Sequence, residues 1–286
     1  MKFFLKQHLK QILPAFFLLV FSASFSTCYG QLDTVVLNNQ KIACLVKEIT
    51  PDAVKYAFPG EDVVNSVYKN TVQKIIFKSG RVQTFAEGTS YKSITNVMDY
   101  DKVTITSVES EVLGLYKLSD VSSKAKGTTV YSNQERVKDR AFRKIKIQAA
   151  MFGANIIYVS NQRTEGNKYG SYYTSGSTAE TNLTGIAYSN VLPDYNKFKQ
   201  LIGSRTDFIA NQKFELGASS SDVSQDVIDK PFKIMNIRNE NGIVFIDGEL
   251  KGESNNNTFQ LANFSDNSFS VAYKNKGTAY NIVIRL

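Results

Sequence analysis

The stretch NQERVKDRAFRKIKIQAAMFGANIIYV, residues 133–159, decides most of what the sequence predicts about the fold. Its apolar residues recur at spacings of three and four, which is typical of an amphipathic helix: Val137, Ala141, Ile145, Ala149 and Phe152. Asn133 can accept a hydrogen bond from the first turn as an N-cap, and Gly153 can end the helix in a left-handed conformation. We therefore expect a helix over residues 133–152, followed by a short buried strand at 156–159.

Outward from this helix, residues 99–192 are predicted to form an α/β unit in which one helix packs on a small sheet. Strands are expected at 103–108 and 182–188. Between the second and third strands, residues 166–178 are rich in Gly, Ser and Tyr, a composition typical of a mobile hairpin loop. Tyrosines in such a loop suit contact with a partner, because the side chain offers a large area at low entropy cost, or they equally cover the sheet beneath. The three are Tyr169, Tyr172 and Tyr173.

The regions on both sides of this unit are predicted to be mostly β structure. Residues 31–90 contain six short runs of strand-forming residues spaced by turn signals, which favours a small barrel or a strongly curled sheet. Residues 193–204 are interpreted as a connector with a short helical stretch, and residues 205–286 as a β-rich domain with turns at Asn241-Gly242 and Asp247-Gly248. The predicted class is α+β and mostly β: a small β-barrel-like domain, a one-helix α/β sandwich and a β-rich C-terminal domain.

The first thirty residues are typical of a secretory signal peptide: a lysine-bearing start, about ten apolar residues and then small residues. The apolar run is too short to span a membrane, which needs about 20 residues, so no transmembrane span is expected in the mature chain. Cleavage after Gly30 would leave Gln31 as the N-terminus. Lipoprotein processing at Cys28 is the alternative, although Phe25 and Thr27 depart from the usual lipobox.

Loss of this segment narrows the possible chemistry. It removes the single histidine and three lysines, so the net charge falls from +8 to +5, and cleavage after Gly30 leaves Cys44 as the sole cysteine. Histidine-dependent nucleophilic catalysis and ordinary zinc or copper sites are then excluded, and no phosphate-binding glycine motif is present. No cofactor and no metal are expected. A pair of carboxylates acting in hydrolysis stays open.

Two polar stretches have competing interpretations. The helix carries a set of cations that would contact an anionic surface such as lipid headgroups, or would form the solvated back of a packed helix: Arg136, Arg140, Arg143 and Lys144, with Lys138 and Lys146. The acids between Asp222 and Asp229 are spaced as at the start of a calcium loop, but Val227 stands where Gly is needed. A short polar helix start is the preferred interpretation there.

Two segments resemble known families. Residues 32–42 (LDTVVLNNQKI), 46–56 (VKEITPDAVKY) and 72–82 (VQKIIFKSGRV) resemble a small β domain found at the mature N-terminus of exported Bacteroidota-type proteins. That resemblance implies an envelope location but does not indicate which activity the protein has. Leu113-Gly114, the helix and AAMFGANII at 149–157 resemble the α/β domain of heavy-metal-binding-like and envelope stress-sensor lipoproteins. The paired cysteines of some of those proteins are absent here, so the resemblance implies neither a metal site nor a disulfide.

These observations lead us to expect a non-enzymatic exported protein of the cell envelope that acts by binding or assembly. It would lie in the periplasm or at the outer membrane, or be secreted, with an envelope protein or an anionic envelope surface as its partner and no role for nucleic acid. A soluble exported ligand-binding protein is the first alternative, and a carboxylate-based hydrolase is the second.

Overall fold

A computed structural model describes residues 32–37, 41–85, 91–218, 220, 222–253 and 256–286. Strands dominate these residues, and the α-helices are α1 (Gln134–Met151) and α2 (Tyr195–Ile202), so the predicted α+β, mostly β class is confirmed. The expected signal peptide lies outside the described residues, as do Cys28, Gly30 and Gln31.

The N-terminal unit is one antiparallel sheet whose strands follow the spatial order β4-β3-β2-β1-β5-β6. All six predicted strands are present: β1 (Asp33–Leu37), β2 (Lys41–Ile49), β3 (Ala53–Ala57), β4 (Asn65–Tyr68), β5 (Val72–Ile76) and β6 (Val82–Thr84). The sheet is open rather than a barrel, because β4 and β6 lie at opposite edges and are only four and three residues long. Val35, Cys44, Val54 and Ile75 are fully buried in its core.

The central unit is a four-stranded sheet of order β7-β9-β10-β8, covered on one face by α1. Its strands are β7 (Thr104–Thr106), β8 (Tyr116–Lys126), β9 (Ile156–Glu165) and β10 (Glu180–Ser189). Both predicted ends of the helix are confirmed: the Asn133 side chain accepts from the Arg136 amide at 3.0 Å, and Gly153 has a φ of +74°. A Cβ at Gly153 would also lie 2.4 Å from the Ala262 carbonyl oxygen of the next unit, so no larger residue fits.

The C-terminal unit is a closed six-stranded barrel. Its strands are β11 (Asp207–Leu216), β12 (Ser224–Glu240), β13 (Ile243–Leu250), β14 (Thr258–Phe264), β15 (Ser268–Asn275) and β16 (Thr278–Arg285). The segment predicted as a connector belongs to this unit, because Phe198 and Ile202 of α2 are buried in the barrel core. The Phe198 and Phe269 ring centroids are 5.3 Å apart. The stretch from Asp222 to Asp229 runs into β12, so the predicted helix start there is wrong.

A bulge in β11 joins the barrel to the central unit. The bulge lies between Ala210 and Gln212. In the part of β11 that precedes it, even-numbered residues face the barrel interior, whereas after it Phe214 and Leu216 face outward. Such an extra residue redirects every side chain that follows. The two outward side chains pack against α1 together with alanines from three barrel strands, whose small size lets the helix approach closely. The alanines are Ala262, Ala272 and Ala279.

Strand β8 is an edge strand whose free side is covered by side chains of α1. Spaced four residues apart along the helix, Arg140 donates to the Lys126 carbonyl at 2.8 Å, Lys144 donates to the Lys124 carbonyl at 2.9 Å, and Gln148 accepts from the Ser122 amide at 3.0 Å. Lys274 of the barrel donates to the Asp120 carbonyl. Each alternate residue of β8 from Asp120 to Lys126 thus has one outward backbone group bonded to a side chain, whereas an uncovered edge would leave these groups open to pairing with another chain.

Lys144 is therefore not part of a contact surface. The prediction that its side chain contacts an anionic surface is wrong. Its side chain is 5% exposed and donates a second bond to the Ala218 carbonyl of the barrel unit at 2.9 Å. Burial lowers the pKa of Lys144, and the neighbouring charge of Arg140 lowers it further. The ammonium group is a structural donor that ties two units to one helix.

We predict that Lys144→Met destabilises the protein, because it leaves the Lys124 and Ala218 carbonyls without their donor. The free energy of unfolding should fall by about 1–3 kcal/mol, measured from the urea midpoint. Lys146→Met, at a half-buried position on the same helix, is the matched control and should change stability by less than about 0.5 kcal/mol. Equal midpoints for the two variants would contradict the proposed role of the Lys144 ammonium.

The 3₁₀ helix Val97–Lys102, which packs on α1, is fixed by the Asp99 carboxylate. Asp99 forms an ion pair with Lys102 at 2.6 Å and accepts from the Thr95 hydroxyl and the Thr95 and Asn96 amides at 2.8–3.1 Å. The hydrogen bond from Lys102 lowers the pKa of Asp99 most. Partial burial raises the pKa, and the Thr95 and Asn96 donors lower it further, so the pKa is about 2 rather than 3.8.

We predict that this carboxylate makes stability depend on pH in the acid range. Since lowering a pKa by one corresponds to about 1.4 kcal/mol, ionised Asp99 stabilises the fold by up to about 2 kcal/mol above pH 4, and this is lost as the pH falls through 2. Asp99→Asn should reduce the unfolding free energy at pH 7, and the difference from the unmodified protein should shrink towards pH 2. A difference that stays constant over this range, or one matched by the exposed Asp101→Asn, would refute the assignment.

Candidate functional site

The predicted tyrosine loop is a hairpin that continues β9 and β10 beyond the rest of the sheet. The Lys168 amide donates to the Ser177 carbonyl at 2.8 Å, and the Ser171 amide donates to the Thr174 carbonyl at 2.9 Å. Gly170 and Gly176 face each other across the hairpin, and a Cβ on either would come within 2.9 Å of the opposite backbone. The glycines therefore allow the two arms of the hairpin to lie close together.

Four tyrosines project from this end of the molecule, and we call them the tyrosine tip: Tyr131, Tyr169, Tyr172 and Tyr173. Their exposed fractions are 80%, 69%, 94% and 89% respectively. The Tyr131 and Tyr169 rings lie 5.8 Å apart, and the Tyr172 and Tyr173 rings meet edge to face at 5.0 Å. The alternative that the loop tyrosines cover the sheet beneath is thereby excluded.

No motif in the sequence singles out Tyr131. It lies in the turn between β8 and α1, and the fold brings it against a loop more than thirty residues away. The sequence does indicate that Tyr131 is exposed, because the small polar residues of the stretch Gly-Thr-Thr-Val-Tyr-Ser at 127–132 predict an exposed turn just before the helix N-cap.

One side chain holds the hairpin to the turn before α1. The Asn167 amide group donates to the Ser132 carbonyl at 2.8 Å, and its oxygen accepts from the Ala179 amide at 2.7 Å. The Gly127 amide donates to the Ala179 carbonyl at 2.7 Å. The tyrosine tip therefore rests on a hydrogen-bonded base, even though its aromatic rings are exposed.

The surroundings of the tyrosine tip carry unbalanced positive charge. Lys126, Arg136 and Lys168 are exposed, and they form no ion pair within the described part of the chain. Most acids at this end are paired: Glu135 with Lys138, Glu165 with Arg163 and Glu180 with Lys124. Asp139 is the remaining acid of the first helical turns. The local balance favours an anionic partner.

The four predicted cations of the helix do not form one surface. Arg136 is exposed near the tyrosine tip, whereas Arg140 and Lys144 bond to β8. Arg143 lies farther along the helix, where it pairs with Asp222 at 3.0 Å and donates to the Tyr100 hydroxyl at 3.1 Å. A helical cation that reaches a backbone carbonyl has the same sequence signature as a solvated one, so the sequence could not separate them.

A second cluster closes one end of the barrel. Lys213 follows the β11 bulge and donates to Glu253 at 3.0 Å, with Glu215 at 3.3 Å. Its ammonium lies 4.8 Å from the centre of the Tyr280 ring, which stacks on Tyr273. Burial opposes the charge of Lys213, but its bonds to Glu253 and Glu215 outweigh this and raise its pKa. These are two carboxylates that the structure brings together, and both are engaged by one ammonium group.

A groove of about 310 Å³ lies between the barrel and the central unit. Much of its polar lining already makes internal bonds. The Asn263 amide donates to the Ile94 and Thr95 carbonyls at 3.3 and 2.9 Å, Asn96 accepts from the Met98 amide, and the Ser265 hydroxyl bonds to Ser268. The groove therefore serves mainly as a joint between units.

The described residues also bear on metal binding, membrane spanning and thiol chemistry. No three His, Cys, Asp or Glu side chains cluster there in a way that could hold a metal ion. Within the same residues, no helix is long and apolar enough to cross a membrane. Cys44 is buried in the N-terminal core, where burial and the charge of Asp33 raise its pKa, so it is a packed side chain rather than a nucleophile.

Comparisons with protein-family models, with curated proteins and with solved structures give no significant match to this chain.

We predict that the tyrosine tip contributes almost nothing to stability. Tyr172→Ser with Tyr173→Ser should change the free energy of unfolding by less than about 0.5 kcal/mol, because both side chains are exposed. Asn167→Ala, beneath them, should lower it by about 1–2 kcal/mol, because two backbone groups lose their partner. Urea unfolding of the two variants would show this contrast; a large loss in the tyrosine variant would identify the rings as packing residues.

Proposed function

We propose that this is a non-enzymatic exported protein of the cell envelope, which acts by binding a partner through the tyrosine tip. Four exposed tyrosines, gathered from two separate loops onto one hydrogen-bonded base, carry this proposal. Clustered exposed aromatic surface is unusual on a monomeric protein and marks sites of interaction. The signal-like N-terminal sequence supports export.

A soluble ligand-binding protein is the second candidate, and the groove between the barrel and the central unit favours it. Its volume of about 310 Å³ lies at the lower end for small-molecule sites. The satisfied polar groups of its lining argue for a joint, so we rank this function below binding at the tyrosine tip.

We predict that fractionating cells that produce the full chain will test export and binding independently. The intact mass should correspond to a mature protein beginning at Gln31 or at a lipid-modified Cys28. In a Cys28→Ser background, where no lipid can anchor the chain, the protein should still sediment with the envelope, and Tyr172→Ser with Tyr173→Ser should move most of it to the soluble fraction.

Two controls bear on this experiment. Tyr116→Ser changes an exposed tyrosine at the far end of β8 and should leave the distribution unchanged. A mass that retains residues 1–30 would overturn the proposed export. Equal envelope association of the tyrosine tip variant and the unmodified tip would overturn the proposed role of these residues.

A further inference from the structure

We propose that the tyrosine tip binds the surface of an anionic lipid bilayer, with the phenol rings in the headgroup layer and the neighbouring cations at lipid phosphates. This inference rests on the proposed function, because it names the partner of the same surface. It follows from the shape, the side-chain chemistry and the charge of the tip.

The shape of the tip is convex. Tyr172 and Tyr173 are almost fully exposed, so no neighbouring wall encloses their rings. A site that grips a sugar or a small molecule surrounds most of its ligand, and this tip surrounds nothing. A protruding hairpin can instead be accommodated by a soft partner that closes around it, as the headgroup region of a bilayer does.

The chemistry of the tip matches that region. Tyrosine has an apolar ring and a polar hydroxyl, and it is enriched at the boundary between lipid and water for that reason. The hydroxyls of these exposed side chains need no partner from the protein. The rings can lie among the glycerol and upper acyl groups while the hydroxyls stay hydrated.

Charge favours an anionic bilayer over a neutral one. Lys126 ends β8 and Arg136 lies in the first turn of α1, on either side of the turn that carries Tyr131, and Lys168 directly precedes Tyr169. Basic residues next to a membrane surface are attracted to anionic lipid within about one Debye length. The three cations are exposed and free of ion pairs in the described residues, so no internal bond has to break before they meet phosphate.

The absence of tryptophan from the sequence makes a sensitive test possible. Tyr172→Trp, in the Cys28→Ser background, places a single tryptophan at the tip of the mature protein. With vesicles of phosphatidylcholine and phosphatidylglycerol, its emission should shift to shorter wavelength and the protein should sediment with the lipid. Pure phosphatidylcholine vesicles should give neither effect, and raised salt should reverse both. Tyr116→Trp, at the other end of β8, should show no spectral shift.

Charge variants test the second part of the proposal. Arg136→Gln with Lys168→Gln should weaken partitioning onto the anionic vesicles by roughly tenfold or more. Lys41→Gln with Lys47→Gln removes the same charge from the exposed face of β2 and should have a much smaller effect. Equal weakening by both pairs would mean that net charge alone, rather than the tip, attracts the protein.

The outcomes separate this inference from the proposed function. If the anionic vesicles give no binding while envelope association still depends on Tyr172 and Tyr173, the lipid proposal is wrong and the tip binds a protein or a polysaccharide. If neither vesicles nor envelope depend on the tip, the proposed function fails together with the lipid proposal.

Discussion

The free edge of β8 is the constraint on which the arrangement of the two larger units depends. An edge strand of eleven residues offers a row of backbone donors and acceptors that must find partners. One helix supplies partners for three of these groups, through Arg140, Lys144 and Gln148 at four-residue spacing. The same helix packs its apolar stripe on the face of the sheet, so α1 covers both a face and an edge. This double role fixes where the helix lies and how it is turned.

The barrel is attached to the other side of that helix. Lys144 donates to the Ala218 carbonyl, and the Asn281 side chain donates to the Met151 carbonyl at 2.7 Å, in the last turn of α1. The bulge in β11 is what allows an outward Phe214 to pack here while Lys213 faces the barrel end. The central helix therefore belongs to both units, which the division of the sequence into separate domains did not anticipate.

Local patterns in the sequence predicted the features that depend on neighbouring residues, namely the ends of the helix and the positions of the N-terminal strands. Asn133, Gly153 and the apolar stripe located α1, and alternation with turn residues located the six N-terminal strands. Strand β8 was missed because its buried positions are Val121, Ser123 and Ala125, which give almost no apolar alternation. The role of Phe198 was missed because a helix of eight residues has too little pattern to show that it closes a barrel. The tyrosines of the hairpin were predicted, but their grouping with Tyr131 depends on tertiary contacts.

The division of positive charge along α1 ties structure to the proposed function. Arg140 and Lys144 are engaged by carbonyls, and Arg143 by Asp222, so most of the helical cations that looked available are not. Arg136, one turn from the N-cap, remains exposed and lies at the end where the tyrosines project. Cations that cover the β8 edge cannot be changed without weakening the fold, whereas Arg136 and Lys168 can. A loss of binding on neutralising Arg136 and Lys168 would therefore report on the surface itself, and the same loss on neutralising Lys144 would report on folding.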